Sequence, residues 1–173
     1  MTFEEFLDAE LAGLRRYAAV LTGDPQRAHD VLADALLRAH TGWSRIGRME
    51  FPLAYVRRMV TSTFLSERRR WSVRMIRVSS SGELPDAAMP DPTDGVDDRG
   101  QLHHLLAGLP SRQRAAVVLR YYLDLPDAEI AAELGITRAA VRTAISRGLA
   151  ALRVSAAEEQ AASAVRPRIQ EGS

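Results

Sequence analysis

The sequence predicts an all-α protein: two small helical domains, the second with a helix-turn-helix, joined by a flexible acidic linker. Three observations carry that expectation. Apolar residues recur at three- and four-residue steps through most of the chain, with no alternating strand pattern in competition. The stretch "SSSGELPDAAMPDPTDGVDD" abandons that period and is rich in Ser, Gly, Pro and Asp, with acid at Glu83, Asp86, Asp91, Asp94, Asp97 and Asp98. Further on, "LPDAEIAAELGITRAAVRTAISRGL" reads as two helices joined by a tight turn at Gly135. The expected domains are residues 1–77 and 99–155, with the linker at 78–98 and a tail at 156–173 that starts as a fraying helix and then becomes disordered.

The first helix should begin at Thr2, because Thr2 and Glu5 have capping-box spacing. Phe3, Phe6, Leu7, Leu11, Leu14, Tyr17, Ala18 and Leu21 give it one apolar face, and Gly23 ends it. Asp24 and Pro25 open a second helix that turns Ala28, Val31, Leu32, Ala35, Leu36 and Ala39 inward. "TGWSRIGRMEF" is expected to be a connector with a turn. A third helix opens near Pro52 with Leu53, Val56, Met59, Val60 and Phe64 as its stripe. Beyond the linker, Leu102, Leu105, Leu106 and Leu109 form a short helix that stops at Pro110. Ser111 should cap the next helix, which buries Ala115, Val118, Leu119 and Tyr122. The paired Tyr121 and Tyr122 are expected to serve helix packing.

Composition narrows the class. With 46% hydrophobic and 26% charged residues in 173, the chain is expected to be globular. It has no cysteine, which excludes disulfides and cysteine-bound zinc and fits a reducing cytoplasm. No signal-peptide layout and no apolar run of spanning length is present, so a soluble, cytoplasmic protein is expected. The net charge is +1, so any affinity for nucleic acid must come from local segregation of charge. All 23 basic residues are arginine, whose planar fork suits phosphate and guanine but whose even spread along the chain also fits codon bias.

The Gly135 turn has the features of a DNA-reading pair. Ala131 is small where the helices touch, and Gly135 tolerates a left-handed backbone. Ile130, Leu134, Ile136, Val141 and Ile145 lock the pair, and Thr137 can cap the second helix. Opposite the apolar side lies an acid-free arc of Arg138, Arg142, Thr143, Ser146 and Arg147. Arg142 and Thr143 are best placed for base edges, Arg147 and Arg153 for phosphate. The alternative is a helical hairpin whose polar arc is only solvated. In the first unit, "YVRRMVTSTFLSERRRW" joins an amphipathic helix, an arginine cluster and Trp71, a pattern suited to holding melting DNA. No dinucleotide, phosphate-loop or nucleophile-elbow motif occurs, and His29, His40, His103 and His104 lack metal-ligand spacing. No enzyme activity, cofactor or metal is expected.

The whole layout resembles the extracytoplasmic-function (ECF) group of sigma factors, promoter-specificity subunits of bacterial RNA polymerase. "TGDPQRAHDVLADALLRA", "PLAYVRRMVTSTFLSERRR", "LPSRQRAAVVLRYYLDLPDAEIAAELGIT" and "VRTAISRGLAALR" carry the likeness, and the arginine-only basicity is similar to actinobacterial members. The resemblance implies a sigma domain 2-like first unit and a sigma domain 4-like second unit. It implies polymerase-clamp docking through Asp30, Asp34, Leu37 and Arg38. It implies minus-ten recognition and melting through Arg57, Arg58, Ser62, Arg68, Arg69 and Arg70. The second unit would read the minus-thirty-five element and touch the polymerase flap. The implied partners are core RNA polymerase, promoter DNA and an anti-sigma protein that clamps the two units. The chain departs from the family pattern at His29, Ala33 and His40 on the docking helix, at Ser62 in the melting helix and at Ala144 in the recognition helix. Two other readings remain open: a dimeric helix-turn-helix regulator acting on a palindromic operator, and a sigma-like decoy that binds only protein.

Overall fold

The computed structural model describes the backbone of residues 1–79 and 98–165, and the side chains of residues 1–66, 100–162 and 164. Every regular element among them is a helix. Helix α1, Phe3–Thr22, starts on the expected capping box: Glu5 donates its N–H to Thr2 Oγ1 at 3.2 Å, and Thr2 N–H donates to the Glu5 carboxylate at 2.8 Å. It ends at Gly23, left-handed at φ 69°, whose N–H returns to the Ala19 carbonyl. A side chain at Gly23 would also meet the Ala107 methyl and the His103 carbonyl at 3.0 Å, so glycine serves both the cap and a close helix approach. Asp24 then caps α2, Pro25–Thr41, by accepting the Arg27 N–H at 2.7 Å.

The expected connector contains a further one-turn helix, α3, Trp43–Ile46. Its periodicity was too short to register, but its packing is definite. Trp43 meets Phe3 and Phe6 at ring distances of 5.1 and 4.8 Å and donates its indole N–H to the Met1 carbonyl, while Ile46 is buried. His40 also lies on the Phe3 ring, at 5.0 Å. Helix α4, Pro52–Ser79, turns Val56, Val60 and Phe64 into a core with Phe6, Leu14, Leu21, Val31 and Leu32. Each such buried side chain stabilises the fold by ~1.5–3 kcal/mol.

The second unit comprises α5, Asp98–Ala107, α6, Ser111–Tyr121, α7, Asp127–Leu134, and α8, Arg138–Val165. Ser111 is not the cap of α6. Pro110 holds that position with φ −53° and no side-chain bond, because its fixed φ already sets the entry and its carbonyl accepts the Arg114 N–H at 2.9 Å. Tyr122 is 43% and Tyr121 63% exposed, so neither is a core residue, but the Tyr122 ring stacks on that of Tyr17 in α1 at 6.4 Å and so serves helix packing. Helix α8 runs on through residues 156–165, the helical beginning expected of the tail. "AAEEQAASAV" favours helix intrinsically, and Gln101 on α5 ties it down by donating to Glu159 at 2.9 Å. Residues 80–97 of the linker and 166–173 of the tail lie outside the described residues.

The two units meet. Helices α1 and α4 contact α6, α1 also touches α5, and α4 touches α7. Arg114, only 3% exposed, is central to this seam. Its guanidinium donates to the carbonyls of Thr22 (2.6 Å) and Leu21 (3.4 Å) at the end of α1, and to those of Leu109 (3.2 Å) and Ala107 after α5. These carbonyls lie where a helix leaves its own acceptors without intrahelical donors, so one buried arginine closes two helix ends. The same guanidinium lies 5.5 Å from the Phe64 ring centroid.

Candidate nucleic-acid and polymerase interfaces

The α7–α8 pair has the geometry of a helix-turn-helix. Gly135 takes φ 63° and Ile130, Leu134, Val141 and Ile145 close the inner face. Ala131 is 9% exposed at the crossing, and its carbonyl accepts the N–H of Ile136 at 3.0 Å. Thr137 Oγ1 accepts the Ala140 N–H at 3.1 Å, which makes it the cap of α8. Arg138, Arg142, Thr143, Ser146 and Arg147 are all exposed, on one side of α8. Thr143 turns its hydroxyl back to the Ala139 carbonyl at 3.0 Å. Arg142 is held at 3.6 Å by Asp127, which also pairs with Arg120. Asp127 was not singled out in the sequence, where it reads as an ordinary first-turn acid. The pairing is visible only once α6, α7 and α8 are assembled.

On α4 the expected residues fall into three groups. Arg58 and Ser62 are exposed and line a cleft between the units, opposite Ser111, Arg112 and Gly135. Arg57 is turned into the seam, its side chain 18% exposed, 3.8 Å from the carboxylate of Glu133 on α7. Arg68, Arg69 and Arg70 lie on α4, but their side chains are outside the described residues, as is that of Trp71.

Sequence reasoning missed the group beside Arg57. Thr61, fully buried, lies 2.7 Å from Tyr17 Oη and 2.7 Å from Glu133 Oε1. An ionised Glu133 can only accept, so Thr61 donates to it and Tyr17 donates to Thr61. Burial raises the carboxyl of Glu133 above the ordinary carboxylate range, against the opposing hydrogen bond from Thr61 and the charges of Arg57 and Arg58. Burial, followed by the charge of Glu133, also raises the Tyr17 phenol. No sequence signal could have joined Thr61 and Glu133 across 72 positions.

On α2, Asp30 and Asp34 are exposed and Leu37 is 67% exposed. His29 and Ala33 lie exposed on the same helix. Arg38, its side chain 47% exposed, also makes contacts inside the unit. It donates to the Met59 carbonyl (3.4 Å) and to Thr63 Oγ1 on α4 and pairs with Asp34 at 3.7 Å, tying α2 to α4. Among the described residues no group of three His, Asp or Glu side chains could hold a metal, and no helix is long and apolar enough to cross a membrane.

Known proteins share this layout. The family description "Sigma-70 region 2" matches residues 6–73, and "Sigma-70, region 4" matches residues 99–152. The RNA polymerase sigma-E factor of Streptomyces avermitilis is 34% identical over 153 residues, covering 88% of this chain and 84% of that protein. The ECF RNA polymerase sigma factor SigL of Mycobacterium tuberculosis is 31% identical over 153 residues, covering 87% and 86%. Among solved structures, the sigma factor RpoE of Bartonella quintana, crystallised with the anti-sigma factor NepR, is similar in fold with a TM-score of 0.64. It is 23% identical, and the match covers 87% of this chain and 94% of that one. With both regions matched in order and full-length relatives above 30% identity, this chain belongs to the ECF group of RNA polymerase sigma factors.

Proposed function

We propose that this chain binds core RNA polymerase in the cytoplasm and directs initiation at a particular set of promoters, with the labour divided among three helices. Helix α8 reads the duplex upstream element through Arg142 and its neighbours, with Arg147 and Arg153 on phosphate. Helix α4 takes the opened strand near the start site through Arg57, Arg58, Ser62 and the arginines that follow. Helix α2 offers Asp30, Asp34 and Leu37 to the polymerase. Arg38 stands beside them as a docking residue and also holds α2 against α4. No covalent bond is made or broken; melting is driven by tighter binding of the open strand than of the duplex.

The single observation that supports this reading most is the coexistence of two exposed faces on one chain. One is the acid-free arginine arc of α8, the other the Leu37 face of α2. A free-standing operator binder has no use for the second. Control by an anti-sigma protein belongs to the proposal, on the family resemblance. Run-off transcription from a genomic DNA pool, with core polymerase and with or without the chain, tests the reading. Discrete new start sites are expected only when the chain is added. Binding to core without new start sites would replace the proposal with a protein-binding decoy.

A further inference from the structure

We propose that the chain carries a binding site for a free medium-chain aliphatic carboxylate, in an apolar cavity bounded by one face of α1 and by α5, α6 and α8. The cavity lies apart from the DNA and polymerase faces assigned above, and its ligand does not depend on their roles.

The cavity has a volume of about 630 Å³, within the ~300–1,000 Å³ of small-molecule sites. Its floor is packed and fixed. Leu106, Val117 and Val118 are buried there, and Gly148 lets α8 lie close against α6: a Cβ on it would come within 2.9 Å of Val117. A site floored in this way exists before its ligand arrives. The rim is apolar as well, with Leu102, Tyr121 and Tyr122 exposed around it. These are three of the seven large apolar side chains that stand exposed among the described residues, so the exposure is gathered on one recess rather than scattered. The stacking of Tyr122 on Tyr17 holds that part of the rim in place.

The polar groups select the ligand. No residue lining the cavity is acidic. Arg16 lines it from α1 together with Ala19 and Val20, three and four positions further along the same face. Arg16 is exposed and has no ion pair or hydrogen bond among the described residues. His103 on α5 and the hydroxyls of Tyr121 and Tyr122 add further donors. A carboxylate can take two parallel bonds from a guanidinium while its aliphatic chain covers leucine and valine. A cation would meet the charge of Arg16, and a sugar would bury hydroxyls against apolar walls. A bounded recess with one arginine holds a single chain; a bilayer surface calls for a wider basic face.

Isothermal titration calorimetry of the full chain with hexanoate, octanoate and decanoate tests the site. One ligand should bind per chain, tightening about fourfold with each added methylene, the factor that ~0.8 kcal/mol per buried CH₂ gives. Arg16→Gln should weaken octanoate about tenfold and leave octan-1-ol within about twofold, which separates the head contact from the chain contact. Arg15→Gln makes the same charge change at an exposed residue that does not line the cavity, and should match wild type. Ala19→Trp fills the cavity from α1 and should abolish binding of both ligands. Arg16 is exposed, so its variant carries the test even if Ala19→Trp does not fold.

A saturable heat that grows with chain length, and depends on Arg16 for the carboxylate but not the alcohol, is the expected result. No saturable binding of any of the three carboxylates would overturn the site. So would an affinity independent of chain length, or one that falls as much with Arg15→Gln as with Arg16→Gln. Sedimentation with phosphatidylglycerol vesicles separates a free ligand from a lipid surface: the chain should stay in the supernatant. Co-sedimentation by a chain that takes no decanoate would replace the site with a membrane face. Loss of core-polymerase binding by Ala19→Trp, where wild type takes no decanoate, would give the cavity to a protein partner instead.

Discussion

Replacing Arg114 with methionine keeps most of the apolar stem and removes the guanidinium. Four carbonyls then lose their donor: Leu21 and Thr22 at the end of α1, Ala107 and Leu109 after α5. A hydrogen bond to a charged group contributes ~1.5–3 kcal/mol net, and a buried acceptor left alone costs ~1–3 kcal/mol. The contributions are not additive, and water can enter beside the vacated head group. A total of ~3–5 kcal/mol is therefore expected, the range found when one partner of a buried charged contact is removed. That is a large fraction of the ~5–15 kcal/mol that holds a typical domain. Urea unfolding followed by circular dichroism at a helical wavelength measures it, with Arg112→Met as the comparison. Arg112 is exposed one turn-fraction away on the same helix, and its substitution should fall within about 0.5 kcal/mol of wild type. A loss below ~1 kcal/mol for Arg114→Met would refute the idea that this arginine closes two helix ends.

Two further outcomes can be stated. Arg142→Ala should weaken binding to the cognate upstream duplex by ~1–3 kcal/mol and flatten discrimination at one base pair, read by competition with singly substituted duplexes. Asp127→Asn should do something different: with Arg142 freed from its 3.6 Å pairing, affinity for non-cognate duplex rises about 1.5- to 5-fold and discrimination narrows. For Glu133, burial raises the folded-state pKa, so the folded chain holds this proton more tightly than the unfolded chain. The resulting stability is present below the ordinary glutamate range and is lost as pH rises through the raised value. The stability difference between wild type and Glu133→Gln should thus shift against wild type as pH rises through and above the ordinary glutamate range, measured by urea unfolding. A difference that stays constant across that range would count against a raised carboxyl.

What the sequence made legible is local chemistry. Thr2, Gly23, Asp24, Gly135 and Thr137 each act on a backbone group within five positions, and all five do in space what their spacing predicted. The inward faces of α1, α2 and α4 followed from period alone. A helix of one turn has no period to detect, which is why α3 was missed. Proline's carbonyl can start a helix without a side-chain bond, and that displaced the cap expected at Ser111. Arg38 illustrates a different limit. Its place on α2 follows from the sequence, but its bonds to Met59 and Thr63 have partners on α4 that one dimension does not show. The residues that join the units, Thr61, Arg114, Asp127 and Glu133, have their partners in other helices. Nothing in a linear pattern brings α4 beside α7.

Arg114 also sets a clock on synthesis. It is made 92 residues after Thr22, whose carbonyl it finally bonds. At about 5–20 residues per second, roughly 5–20 s separate the two events on the ribosome. Throughout that interval the emerging first unit has the end of α1 open to water and the Phe64 ring without its guanidinium neighbour. A nascent chain stalled in the linker consequently lacks this closure, which comes only when α6 leaves the exit tunnel and delivers its arginine.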